Sequence, residues 1–386
     1  MKLACVVGTR PQLIKAAAAW HALRRDHAPR LIDTGQHYDE EIAGRFFREL
    51  HLPPPDRQLG VGSGSHARQL AAMIDKLEPV LLDEQPDAVV VFGDTNSTLA
   101  GALVAAELDL PLAHVEAGLR SFDRRMPEEI NRVVADHLAQ LLLAPNEQAA
   151  ANLRAEGVGA GNAASGPAAE GWRRARVGVV GDLMQDLCAA TLPHVRDHSA
   201  IGEGAPEDVR DLGLASGEYL FATVHRAENR APDAIHEWLA LLGALDRSVV
   251  LALHPGTRRA MDECDCVIPP NVHAVPPQGY ATTLALQLHA AAVVTDSGGV
   301  QRESAWLGTP ALVLRGSTEW TATLEEHGGR SALVGRDATL AVAALERLAP
   351  RAATPGSAIR RAAEAVVSPA GADDRVSASI AAWLGA

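Results

Sequence analysis

Between His114 and Arg132 the chain reads HVEAGLRSFDRRMPEEINR, setting Glu116, Glu128 and Glu129 among Arg120, Arg124, Arg125 and Arg132. Carboxylates held close together repel, so one keeps a proton near neutral pH while another stays ionised, as an acid/base pair requires. The arginines around them suit an anionic group beside that chemistry. A solvated charged loop would have the same composition, so the segments on either side must decide between the two readings.

Upstream, DAVVVFGDTNSTLAGALVAAELDLPLAHVEAG reads as an apolar strand over residues 88–92, a turn at Gly93, Asp94 and Thr95, an Ala/Leu-rich helix, and a short strand ending near His114. This is a βαβ unit, and open α/β sheets place their ligands at the carboxyl ends of such strands. Asp94 and Glu116 then stand on the rim of one site. Further upstream, a strand over residues 2–7 runs into the turn Gly8-Thr9-Arg10-Pro11 and a helix carrying Lys15, so Arg10 and Lys15 can reach the same rim. A strand over residues 29–33 ends before Gln36 and His37, and GVGSGSHARQL is a Gly/Ser loop opening the helix that leads to Asp94.

The second half repeats the plan. A strand over residues 218–224 runs into HRAEN, which puts His225, Arg226 and Glu228 at its end, and VVLAL runs into His254, Pro255 and Arg258. A strand over residues 291–295 is followed by Asp296-Ser297-Gly298-Gly299 and a helix from about Val300. A serine and two glycines opening a helix can cradle a diphosphate, because bare backbone N–H groups and the positive helix end both face the anion. Each histidine alone is more often structural than catalytic; what carries weight is that both halves place polar residues after apolar strands. The elements that must position these groups are thus two parallel α/β sheets.

Length and composition agree with that plan. A chain of 386 residues that is 47% hydrophobic can bury two cores. We expect domains over residues 1–176 and 177–366, with a Gly/Ala/Ser/Pro-rich loop near 155–176 before the boundary and a final helix, within 367–386, returning to the first domain. A formal charge of −13 argues against nucleic acid as partner. Cys5, Cys188, Cys264 and Cys266 are too few and scattered for a disulfide framework; Cys5 and Cys188 read as core residues, and Cys264-x-Cys266 lacks the spacing of a zinc knuckle. The amino terminus runs directly into a strand and no uncharged run reaches membrane-spanning length, so a cytoplasmic protein is expected, with no membrane partner.

Taken in order, GTRPQLIK, TGQH, GDTNST, HVEAGLRS, PEEINR, HRAEN, HPGTR, TDSGGVQRES and LGTP resemble the motifs of the non-hydrolysing UDP-N-acetylglucosamine 2-epimerases over almost the whole chain. The resemblance implies a glycosyltransferase-B-type architecture, two Rossmann-like domains facing a cleft that holds a UDP-sugar, and a homodimer. It implies that UDP leaves C1 as the C2 proton is removed, giving a glycal-type intermediate, and that proton and UDP then return with inversion at C2. By motif, Asp94, Glu116, Glu128 and His225 match the catalytic residues. Arg10, Lys15, His254, Ser297, Gly298, Gly299 and Glu303 match the UDP-binding positions, with Glu303 accepting from the ribose hydroxyls. Such a path requires no metal or other cofactor.

Three departures stand out. The family's GTRPE is GTRPQ here, which removes one carboxylate, and its TERPE is TEWT, which puts Trp320 where an arginine is expected near the nucleotide. Together with GVGSGSH and GDLMQD these features look like the branch acting on UDP-2,3-diacetamido-2,3-dideoxy-glucuronic acid. A sugar carboxylate would welcome an extra cation, for which Arg124 and Arg125 are candidates. The competing readings are a hydrolysing 2-epimerase and a glycosyltransferase on the same fold; acids facing the sugar favour an epimerase.

Overall fold

The structure, a computed structural model, describes residues 1–36, 49–159, 175–196, 209, 211–213, 215–350, 367 and 370–385. His37 and most of the Gly/Ala/Ser loop near 155–176 lie outside the described residues. The chain divides into two compact units, residues 1–187 with 369–386, and residues 188–368.

In the first unit the order is β1 (Lys2–Val7), α1 (Arg10–Asp26), β2 (Ala28–Asp33), β3 (Arg57–Gln58), α2 (His66–Glu84), β4 (Ala88–Phe92), α3 (Asn96–Glu107), β5 (Leu112–Val115), α4 (Pro127–Leu138), β6 (Leu141–Ala144), α5 (Glu147–Ala155) and β7 (Arg176–Val179). These strands form one parallel sheet in the order β3-β2-β1-β4-β5-β6-β7. Strands covered on both faces must be apolar throughout rather than alternating, and AVVVF of β4 and LLLA of β6 are buried at every position. The strand order reverses direction between β1 and β4, the switch point outside whose carboxyl ends open sheets bind ligands. The expected domain boundary at 176/177 falls within β7, which pairs with β6, and the first unit continues to Leu187.

The second unit begins within α6 (Leu183–Arg196) and continues through β8 (Tyr219–Val224), α7 (Pro232–Ala244), β9 (Ser248–Leu253), α8 (Pro255–Glu263), β10 (Val272–Val275), α9 (Tyr280–His289), β11 (Ala292–Thr295), α10 (Gly298–Trp306), β12 (Ala311–Val313), β13 (Ser331–Leu333) and α11 (Ala338–Leu348). Its parallel sheet runs β10-β9-β8-β11-β12-β13, with its own switch point between β8 and β11. Trp238 of α7 and Leu220, Val249 and Leu312 of the sheet centre one of its cores.

The last helix, α12 (Ala372–Leu384), belongs to the first unit and packs on α1. Ser377 Oγ donates to Ala22 O at 3.0 Å and to Asp26 Oδ2 at 2.8 Å. The Asp186 carboxylate accepts from the backbone N–H groups of Gly371, Ala372 and Asp373 and so satisfies the donors at the start of α12. Cys5 and Cys188 are buried free thiols, as expected, and burial pushes the Cys5 thiol up to about 12. Four cysteines form no disulfide framework by number and spacing, yet Cys264 and Cys266, separated by one residue, are bonded to each other. No described helix is long and apolar enough to cross a membrane.

Candidate active site

In the first unit the expected residues gather at the ends of β1, β4 and β5. Gly93 takes a φ of +63°, and a Cβ there would lie 2.8 Å from Lys15 Nζ and 3.6 Å from Glu116 Oε1. Only glycine gives the turn both that backbone and that room. Lys15, reaching from the second turn of α1, pairs with Glu116 at 2.6 Å, and both side chains are at least nine-tenths buried. Glu116 itself holds a φ of +70°, while its N–H and that of Ala117 both donate to Leu143 O at 3.0 and 3.2 Å. A non-glycine residue held in the left-handed region costs of order 1–3 kcal/mol, and such residues cluster where a side chain must be aimed.

Asp94 forms an ion pair with Arg132 of α4. Its carbonyl accepts from Asn131 Nδ2 at 3.0 Å, which ties the β4 turn to the same helix. The three glutamates of the opening cluster separate by role. Glu129 is buried, accepts from Ser121 N, Ser121 Oγ and Phe122 N, each at 2.9 Å, and pairs with Arg132 at 2.8 Å. It shapes the loop and holds Arg132. Glu128, one residue earlier on the first turn of α4, is half-buried and has no hydrogen bond or ion pair among the described residues.

The arginines separate in the same way. Arg120 is buried and pairs with Asp136 at 2.7 Å and Glu156 at 2.6 Å, so it serves the fold rather than an anion. Arg125 pairs with Asp123 in its own loop, whereas Arg124 is exposed and unpaired among the described residues. Behind the β4 turn, His114 of β5 has Nδ1 2.7 Å from Asp136 Oδ1 and Nε2 2.7 Å from Gly93 O. Burial raises the pKa of Asp136, yet the adjoining His114 and Arg120 outweigh it and hold the carboxyl below its ordinary value.

In the second unit the polar residues gather at the ends of β8, β9 and β11. His225 follows β8, with Nδ1 3.2 Å from Asp296 Oδ1. Fully buried Asp296 also accepts from His225 N at 3.0 Å, Arg226 N at 2.9 Å and Asn229 Nδ2 at 2.8 Å. The carboxylate therefore sets both the backbone and the ring of His225. Arg230 donates from Nη2 to His225 O at 2.7 Å, and burial holds its guanidinium pKa below the ordinary value against the pull of Asp296.

Ser297 caps α10, which starts at Gly298, two residues earlier than expected. His254 caps α8, its Nδ1 accepting from Gly256 N at 3.1 Å. Glu303, expected as a hydroxyl acceptor, is buried and accepts from Gln287 Nε2 at 2.6 Å. Trp320 is buried beside the glycine turn, its Nε1 3.1 Å from where a Cβ on Gly298 would sit. The Arg302 guanidinium stacks on that indole at 3.9 Å, so a cation stands near the turn although the expected arginine is absent.

Two features of these strand ends go beyond the residues expected from the sequence. Asp296, expected only as part of a turn, is the buried acceptor that holds His225, and its place directly before Ser-Gly-Gly is the one signal for it in the sequence. The Lys15–Glu116 pair joins residues far apart in sequence, which spacing along the chain does not reveal.

The geometry agrees with what the chain is similar to. The family model described as UDP-N-acetylglucosamine 2-epimerase matches residues 21–367. The UDP-N-acetylglucosamine 2-epimerase of Methanocaldococcus jannaschii is 38% identical over 359 residues, 90% of this chain and 92% of that protein. The UDP-2,3-diacetamido-2,3-dideoxy-D-glucuronate 2-epimerase of Pseudomonas aeruginosa is 37% identical over 344 residues, 87% of this chain and 88% of that one. The crystal structure of the M. jannaschii UDP-GlcNAc 2-epimerase in complex with UDP-GlcNAc and UDP aligns with a TM-score of 0.81 at 35% identity, covering 99% of this chain and 100% of that one. With strand ends, switch points and family model in agreement along the chain, the protein belongs to the UDP-N-acetylglucosamine 2-epimerase family.

Proposed function

We propose that the protein interconverts UDP-GlcNAc with its C2 epimer, UDP-ManNAc, by eliminating and re-adding UDP. The observation that supports this most directly is the set of three acids at one end of the first sheet: Asp94 held by Arg132, Glu116 held by Lys15, and Glu128 without a partner among the described residues. In the forward step the C2–H bond breaks, its electrons form the C1–C2 double bond, and the C1–O bond breaks with its pair going to UDP. Return of the proton to the other face and of UDP to C1 completes the inversion. Inversion needs proton-handling groups on both faces, and one carboxylate would leave one face unserved.

We assign Asp94, Glu116, Glu128 and His225 to proton handling and to balancing charge at C1 and C2. Arg10, Lys15, His254, Ser297, Gly298, Gly299 and Glu303 are assigned to UDP. The bare N–H groups at the start of α10 suit its diphosphate, and charge building on departing UDP favours donors already in place.

A second reading has its own support. The P. aeruginosa relative is named for an acidic diacetamido sugar, and Arg124 is an exposed cation, unpaired among the described residues, on the loop that precedes Glu128. On this reading the substrate is UDP-2,3-diacetamido-2,3-dideoxy-glucuronic acid and Arg124 meets its carboxylate.

Incubation with UDP-GlcNAc alone, followed by anion-exchange chromatography and NMR, tests the reaction class. An equilibrium mixture with UDP-ManNAc and no free sugar is expected. Free 2-epimer with UDP would mark a hydrolysing enzyme, and unchanged substrate until an acceptor is added would mark a glycosyltransferase.

A further inference from the structure

Outside the strand ends, one cluster of side chains among the described residues has the chemistry of a ligand set. Cys264 and Cys266 follow α8, and the residue between them, Asp265, has a φ of +51°, which turns the chain so that both sulfurs come together. His236, on the second turn of α7, faces them. One ligand atom from each of the three residues lies within 4.8 Å of the others, and the three are exposed or half-buried. Cys266 Sγ is 3.7 Å from His236 Nε2. Bonds of about 2.3 Å to sulfur and about 2.0 Å to nitrogen put tetrahedral ligand edges at about 3.6 Å, close to this distance; the sulfur is 3.9 Å from Nδ1 as well, and opening the disulfide lets it move toward the Nε2 axis.

The histidine is also prepared for this. Its Nδ1 lies 2.8 Å from Pro232 O, an acceptor, so Nδ1 carries the hydrogen and Nε2 keeps the lone pair a cation needs. A ligating imidazole is ordinarily fixed by such a bond from its other nitrogen. The acidic residues Asp262, Glu263 and Asp265 surround the cysteines in sequence and are exposed, which favours a cation over an anion.

We propose that the reduced Cys264–Cys266 pair and His236 form a binding site for a thiophilic cation of the zinc or copper(I) class, with solvent completing the coordination. Two thiolates and an imidazole are a soft donor set that magnesium or calcium would not select. The disulfide must first open. A phosphine reductant does this with water: the phosphine becomes its oxide, the S–S bond breaks, and each sulfur takes one proton. A divalent cation then displaces those two protons as it binds both thiolates.

The test is a zinc titration of the phosphine-reduced full chain in competition with a chromophoric chelator, repeated with cadmium to read the ultraviolet thiolate-to-metal band. The free thiols of Cys5 and Cys188 are buried and do not compete. One equivalent of zinc should bind, with cadmium giving the thiolate band. Affinity should fall by at least about tenfold in His236→Ala, an exposed substitution that leaves the fold intact. Binding should vanish in the Cys264→Ser/Cys266→Ser double variant and in the oxidised protein. The site would be overturned by uptake no greater than that of the double variant, by His236→Ala binding as tightly as wild type, or by equal uptake before reduction.

Discussion

At the scale of single residues, the neighbours Glu128 and Glu129 make opposite predictions. Glu128 has no bond to lose among the described residues, so Glu128→Gln should leave Tm unchanged while turnover falls at least about a hundredfold, the scale of a lost acid or base. Calorimetry with UDP should show little change in Kd. Glu129→Gln instead removes the charge that pairs with buried Arg132, and should lower Tm. Near-wild-type turnover in Glu128→Gln would make that carboxylate structural. If Arg124 meets a sugar carboxylate, Arg124→Ala should lower kcat/KM by about 1.5–3 kcal/mol with the acidic sugar and much less with UDP-GlcNAc. Equal losses would remove the acidic-sugar reading. Motif order in the sequence pointed to Glu128 but left Glu129 unsorted, because adjacent residues on a first helical turn differ in what they face, and a string of letters records spacing only. The same limit hid the hold of Asp296 on His225.

At the scale of elements, the legible part was large: β4 was read to the residue, and the other site strands within about one. Continuous β-branched and apolar runs ending in glycine turns mark buried parallel strands by composition alone. What those runs do not encode is the order in which strands pair. The two switch points, which set the ends of β1 and β4 next to each other and bring His225 against Asp296 at the ends of β8 and β11, became visible only with the sheets. Gly93→Ala tests how much the β4 turn matters. A methyl group would press on Lys15 Nζ, and the backbone would be strained, so both stability and turnover should fall, read by urea unfolding and the epimerisation rate. Asp186→Ala should destabilise the first unit by about 1–2 kcal/mol through loss of the α12 cap, with kcat little changed.

At the scale of the whole molecule, the first unit carries a pH dependence. The carboxyl of Asp136 is held below its ordinary value in the fold, so its contribution is fully present above the unfolded carboxylate range of about 4 and is lost as pH falls through the folded value. Urea midpoints should therefore drop steeply below about pH 4, and Asp136→Asn should flatten that drop while lowering stability at neutral pH. Besides this unit the molecule has a second α/β unit, whose strand ends carry His225 and the glycine-opened helix α10. The central claim is that C2 loses its own proton and regains one from the protein or solvent. The most direct measurement is NMR of the UDP-sugar pool after turnover of UDP-GlcNAc in deuterated water. Deuterium at C2 of the UDP-ManNAc formed, with UDP-linked sugar conserved, is the predicted result; UDP-ManNAc that keeps its original C2 hydrogen would contradict the account.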